Sequence, residues 1–198
     1  AYLLGDYLYK KSKLNPLVNP VAISILIVSS ILLIMDVSYD RYFNGAKFIH
    51  FMLGPATVAL AIPIYEKKNL ILREIKPIIF SIFLGIPFAI LITFYLATFF
   101  KLDQEIILTM IPRNVTAPIA MGIAELIGGI PSLTAIITII TGIIGASLGT
   151  FALNIFKIKD MNARGFGFGL ASPGIGTARA MSKNKTAGVF AALAMGLS

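Results

Sequence analysis

Cysteine is absent from the 198 residues, and histidine occurs once. The first absence removes disulfides and thiol chemistry and leaves the redox compartment unreadable. The second leaves no Ser-His-Asp relay to assemble and no zinc motif; His50 has no ligating companions, so a helix-surface or interface role suits it better. Charge is scarce as well: Asp, Glu, Lys and Arg make up 13% of the chain, against about 25% in soluble domains. There is no Walker loop. Gly165, Gly167 and Gly169 miss the G-x-G-x-x-G pattern because Leu170 stands where the last glycine belongs. These gaps exclude the common enzyme signatures and point to no cofactor and no metal.

What fills the chain is apolar. Hydrophobic residues reach 57%, against roughly 45–50% in soluble domains. From Pro77 to Phe100, and again from Leu126 to Phe156, no side chain is charged. A helix rising about 1.5 Å per residue needs about 20 apolar residues to cross roughly 30 Å of hydrocarbon. Either stretch suffices, so the chain belongs in a bilayer. Residues 1–198 read as a single transmembrane domain with no room for a soluble catalytic one. The net charge of +8 comes from short basic clusters between apolar runs, as in cytoplasmic loops, and not from a nucleic-acid surface. Tyr2–Tyr9 resembles the last turns of a helix, and Thr186–Ser198 is uncharged but too short to span. Flanking helices are therefore expected to be cut at both ends.

Loops and spans can be placed along the chain. Leu14–Met35 reads as a span, Asp36–Asn44 as a loop with interface aromatics Tyr39, Tyr42 and Phe43, and Phe48–Tyr65 as a kinked or broken span at Gly54-Pro55 and Pro63. A basic loop, Lys67–Lys76, precedes the span Pro77–Phe100, and Ile130–Phe156 is the longest span. Two apolar segments, Ile106–Glu125 and Gly165–Met181, are interrupted by proline, glycine and arginine. If each dips in and turns back, Lys10–Lys13, Lys67–Lys76, Lys157–Arg164, Lys183 and Lys185 all lie on the cytoplasmic side. The expected fold is an all-α integral membrane protein, a multi-pass helical bundle with discontinuous helices or re-entrant hairpins. Pro77–Glu125 and Leu133–Met181 would form an inverted repeat, as in many secondary transporters. A rival register pairs Thr57–Ala61 with Thr116–Ala120, leading to Glu66 and Glu125. The two registers exclude each other.

Chemistry concentrates at the interruptions. Pro112 and Pro118 prevent a continuous helix and free backbone groups that must find partners or line a cavity. Arg113 there costs about 2.5–3.5 kcal/mol at the bilayer centre, a cost that a carboxylate substrate would offset through paired hydrogen bonds, with Asn114 and Thr116 beside it. Alternatively Arg113 snorkels to the interface. Ser172, Gly174, Gly176 and Thr177 are the matching set: glycine amides at a half-helix start can approach an anion, or the glycines merely permit tight packing, as Gly145-x-x-x-Gly149 would. Thr57 is a third contributor. Glu125 is a candidate proton relay or an interface cap. Arg179 reads as a helix-end or lipid-phosphate contact rather than a substrate ligand.

Several strings together resemble one family. They are Leu53-Gly-Pro-Ala-Thr-Val-Ala-Leu-Ala-Ile-Pro63; Pro112-Arg-Asn-Val-Thr-Ala-Pro-Ile-Ala120 with Ile127-Gly-Gly-Ile-Pro-Ser-Leu-Thr134 and Ile139-Ile-Thr-Gly142; and Ala163-Arg-Gly165, Gly176-Thr-Ala-Arg-Ala180 and Leu193-Ala-Met-Gly-Leu197. In that order they resemble the LrgB/CidB family of bacterial membrane proteins, over nearly the whole chain from Asn15. The resemblance implies a multi-pass plasma-membrane protein working beside a smaller LrgA/CidA-type partner, and a homo-oligomer. It implies either movement of small monocarboxylates such as pyruvate or glycolate by alternating access, or an antiholin- or holin-like assembly modulating murein hydrolase activity and lysis. The chain departs from the pattern at Ser172-Pro173, where the family usually has Ser-His, which weakens any proton-coupled role there. Arg113 is a milder change, and Ala191-Ala192 replaces a pair often containing serine.

Overall fold

The computed structural model describes residues 1–12, 18–52, 55 and 58–198, apart from the side chains of Tyr39, Asp40 and His50. Among these residues every regular element is helical. The chain divides into two compact units, Ala1–Tyr65 and Glu66–Ser198.

In the first unit, α1 (Tyr2–Lys11) packs on α2 (Pro20–Ile34). Gly5 makes the approach close, since a Cβ there would lie 2.7 Å from the Pro20 carbonyl oxygen. Asn19 starts α2 by accepting hydrogen bonds from the amides of Val21 (2.9 Å) and Ala22 (3.4 Å), and Pro20 occupies the first turn, where its missing N–H costs nothing. α3 (Tyr39–Phe51) and α4 (Ala61–Glu66) follow. Within the expected span Phe48–Tyr65, α3 ends at Phe51 and Pro63 lies inside α4, so the helix is not broken at Pro63, while Gly54 lies outside the described residues. Two further expectations need correction. Asp36–Asn44 is not all loop, because helix begins at Tyr39; and the span expected over Leu14–Met35 is helical over Pro20–Ile34 in its described part.

The second unit opens with α5 (Lys68–Arg73), so most of the basic segment Lys67–Lys76 is helical where a loop was expected, with a break at Glu74. α6 (Ile75–Phe99) and α9 (Pro131–Ile155) are the two long elements, 25 residues each, or about 37 Å. They match the expected spans within two residues at each end. Both are long and apolar enough to cross a membrane, yet only 11% and 22% of their apolar stretches are buried. A core helix of a soluble protein would be mostly covered. Phe83, Phe88 and Tyr95 of α6 instead lie 74%, 65% and 72% exposed, an apolar surface suited to lipid.

Between these helices the chain makes one excursion, and after α9 it makes another. α7 (Gln104–Met110) runs into a 3-10 turn (Ile111–Asn114); Val115 and Thr116 are extended, and α8 (Ala117–Ile127) returns. The return is fastened at its base. Thr109 Oγ1 accepts from the Ile130 amide at 2.9 Å, and Thr134 Oγ1 donates to the Thr109 carbonyl at 2.9 Å. Gly129 sits directly on the Thr109 backbone, where a Cβ would fall 2.8 Å from its nitrogen. Thr109→Val should therefore strand the Ile130 amide and lower stability by about 1–3 kcal/mol, readable as a fall in the detergent melting temperature; an unchanged melt would show the clasp to be dispensable.

The second excursion is α10 (Met161–Ala171), a turn at Ser172–Gly174, and α11 (Ile175–Lys183), followed by α12 (Lys185–Leu197). α10 and α12 run parallel, Gly165 lying against Ala187 and Gly169 against Ala191. α11 runs against α12, with Gly174 beside Met195 and Met181 beside Gly188. Hence α10 and α11 form a hairpin. Ile78 of α6 packs with Phe166, Phe190 and Ala194 to close the core beneath it.

Candidate functional site

α9 carries the site. Its buried face reads Thr134, Thr138, Gly142, Ala146 and Ser147, small side chains about one turn apart. Such a face lets other backbones come close where apolar solvent gives helices little reason to associate. The second hairpin enters from the Ile155 end: Arg164 Nη1 donates to Asn154 Oδ1 at 3.0 Å, Phe168 covers Gly149, Ser172 covers Gly145, and Ile175 covers Gly142. Its turn thus reaches the middle of α9. The first excursion starts at the other end, at Ile130 and Thr134, and its 3-10 turn and α8 both pack on α9.

The two turns differ in what they offer. At the second, Ser172 is fully buried and its hydroxyl donates to the Phe168 carbonyl at 3.0 Å. Gly174 has φ +76° and ψ −76°, and the Ile175 amide donates to the Pro173 carbonyl at 3.0 Å, a positive-φ γ-turn that glycine alone adopts cheaply. Pro173, standing where the resembling family has histidine, is buried in this turn. The Gly174 amide donates to Met195 Sδ at 3.2 Å, Thr177 Oγ1 donates to the same sulfur at 3.7 Å, and the Gly176 amide donates to the Ser172 carbonyl at 2.9 Å. Gly176 lies against the Ser172 hydroxyl. The donors at this tip are largely spoken for.

The first turn is open. Arg113 is half-buried, and its Nε is buried without a hydrogen-bond partner. Thr116 holds the N-cap position of α8, but its side chain makes no capping bond. Among the described residues, neither the Ala117 nor the Ile119 amide finds an acceptor, while Pro118 has no amide hydrogen to satisfy. Asn114 and Thr116 are half-buried beside them. A guanidinium with a spare buried N–H, next to the positive end of an 11-residue helix, suits a small anion.

Thr138 is the residue that sequence reasoning missed. Three other buried threonines return their hydroxyls to the carbonyl four residues back: Thr93 to Ala89 at 2.7 Å, Thr109 to Glu105 at 2.7 Å, Thr134 to Ile130 at 3.1 Å. Thr138 Oγ1 is buried and has no partner. It lies one turn beyond Thr134, which grips Thr109, as Arg113 lies one turn beyond Thr109. The repeat Thr134-x-x-x-Thr138 in an uncharged span was the available signal. Met195, which props the second turn, was visible only within the Leu193–Leu197 string.

Not every predicted residue joins this cluster. Glu125 is exposed on α8, more than two turns from Thr116, or about 13 Å along the axis. Thr57 and Gly54 lie outside the described residues, as does the His50 side chain.

The whole chain, residues 1–198, matches the model of the LrgB-like family. It is 32% identical over 197 residues to the uncharacterized protein YxaC of Bacillus subtilis, covering 100% of this chain and 85% of that protein. It is 32% identical over 181 residues to holin-like protein CidB of Staphylococcus epidermidis and 30% identical over 181 residues to holin-like protein CidB of Staphylococcus aureus, in each case covering 91% of this chain and 79% of the relative. No solved structure matches.

Proposed function

The chain belongs to the LrgB-like family of membrane proteins, and from that premise we propose that it carries small monocarboxylates, of pyruvate or glycolate size, across the bacterial plasma membrane. The unpartnered, buried Nε of Arg113 beside the uncapped start of α8 is the observation that supports this most. A carboxylate would take two hydrogen bonds from the guanidinium and one or more from the α8 amides, with Asn114, Thr116 and Thr138 filling its remaining lone pairs. The second tip, Ser172 to Thr177, would close over the anion as a packed wall and donate little charge to it. Alternating access would then be rocking of the two opposed units, Pro77–Glu125 and Leu133–Met181, about the middle of α9. An LrgA/CidA-type partner and self-association would assemble around this core.

The relatives' holin-like name favours a second reading, an oligomeric lesion or its antagonist. Such an assembly would use a free stripe of small residues between copies. Gly142, Gly145 and Gly149 of α9 are already covered by Ile175, Ser172 and Phe168 of the same chain, which weighs toward a carrier.

The test is reconstitution in liposomes, with and without the partner, using labelled pyruvate, lactate and glycolate. Saturable uptake with no leak of a trapped dye is expected. Dye release without saturable uptake would transfer the protein to the holin class. Thr138→Val, which keeps the shape and removes the hydroxyl, should raise KM about tenfold, the worth of one hydrogen bond to a charged group, with no loss of melting temperature. An unchanged KM would remove Thr138 from the site.

A further inference from the structure

At the base of the second hairpin, away from Arg113, a cleft of about 510 Å³ opens between the end of α9, α10, α11 and the start of α12. Three of its lining residues are cations, each on a different element: Lys159 after α9, Arg164 on α10 and Lys183 in the last turn of α11. No carboxylate lines it. The acid nearest in sequence, Asp160, is turned away: it accepts from the Ala163 amide at 2.8 Å and lines a separate, smaller pocket. Lys185, just beyond the cleft, has its own partner in Glu66 at 3.5 Å, whereas Lys159, Arg164 and Lys183 pair with no acid among the described residues.

Like charges gathered without a counter-charge repel, and an anion seated among them relieves that. Arg164 is held ready for one. Its Nη1 donates to Asn154 Oδ1 at 3.0 Å and to the Ile158 carbonyl at 2.7 Å, so the guanidinium is fixed at the cleft wall. The rest of the wall is mixed, with Phe168, Ala180 and Ala187 apolar and Thr150, Asn154 and Asn184 polar but uncharged. Clustered cations with uncharged polar donors and some apolar wall suit a phosphate group, whether free or on a lipid headgroup.

We propose that this cleft binds a phosphate group, presented by an anionic lipid headgroup or by a soluble phosphate compound. Bound there, it bridges both legs of the hairpin to the end of α9 and holds the hairpin base closed. The site is independent of the carboxylate site and stands whether or not the protein is a carrier.

The test uses the full chain purified in neutral detergent, titrated with short-chain phosphatidylglycerol, phosphatidylcholine of equal length, and inorganic phosphate, with binding read from the rise in melting temperature. Phosphatidylglycerol is expected to bind and phosphatidylcholine not. Lys159→Gln with Lys183→Gln should weaken binding about tenfold or more, while the control pair Lys76→Gln with Lys101→Gln, which removes the same charge elsewhere, should not. Inorganic phosphate binding with the same lysine dependence and displacing the lipid would identify a soluble source; lipid binding alone would identify the membrane. A second measurement needs no variant: bound phosphate should protect Lys159 and Lys183, but not Lys101, from an amine-acylating reagent. Equal binding by both variant pairs, no lysine protection, or no binding of either phosphate source overturns the proposal.

Discussion

Replacing Arg113 with alanine should reduce saturable carboxylate uptake by about a hundredfold or more, the loss of two charge-assisted hydrogen bonds, while the protein stays folded at its normal level. The fold has little invested in this side chain. Its Nε makes no bond, and the base of the first excursion is fastened elsewhere, by Thr109, Ile130 and Thr134. Removing a half-buried charge even relieves a desolvation cost. Arg113→Lys should recover part of the uptake, because the ammonium keeps the charge but loses the planar fork that meets a carboxylate in two bonds. The order arginine, lysine, alanine in uptake, with melting temperature flat or rising, separates a substrate ligand from a structural residue. If alanine matched the wild type, Arg113 would be an interfacial cation reaching for water and the carboxylate site would have to be sought elsewhere.

The sequence made the long spans and both interruptions legible for the same reason: in hydrocarbon, charge and proline are expensive, so their positions mark where the chain changes course. Pro112 lies in the 3-10 turn and Pro118 in the first turn of α8, on either side of the extended Val115–Thr116, and Ser172-Pro173-Gly174 is the turn between α10 and α11. Charge is a poor guide to where a helix ends, however, since an interfacial helix keeps its backbone bonds while its side chains turn polar. Tyr39–Asn44, with Asp40 and Arg41, and Lys68–Arg73 are helical despite reading as loops. Nor could composition distinguish the two turns. Gly174 and Gly176 advertise exposed amides, yet Met195 and Ser172 consume them, because the partner that closes a turn can lie anywhere in the chain. Thr138 was hidden by the opposite circumstance: a threonine in a helix normally satisfies itself, and only the fold reveals one that does not.

The tightest packing in the second unit makes the sharpest stability prediction. A Cβ at Gly165 would fall 2.7 Å from the Ala187 Cα, and one at Gly169 would fall 2.8 Å from the Ala191 Cα, with the neighbouring carbonyl oxygens closer still. The obstacles are backbone atoms, which no rotamer change can move. α10 and α12 would have to part along their length, and α10 carries the turn that reaches the middle of α9. Gly165→Ala or Gly169→Ala should each cost about 1–3 kcal/mol or more, and Gly169→Leu should leave no monodisperse protein on gel filtration. Gly85 sets the scale from the other side, since its obstacle is the flexible end of Leu170 at 2.7 Å, which can turn away. Gly122 of α8 has nothing within 4 Å; Gly122→Ala should therefore stabilise the protein by up to about 1 kcal/mol through helix propensity alone. Detergent melting of the three alanine variants, ranked 122 above 85 above 169, tests the geometry without reference to any activity. A Gly169→Ala protein that melts with the wild type would mean that α10 and α12 do not meet backbone to backbone, and the turn at Ser172–Gly174 would lose its anchor.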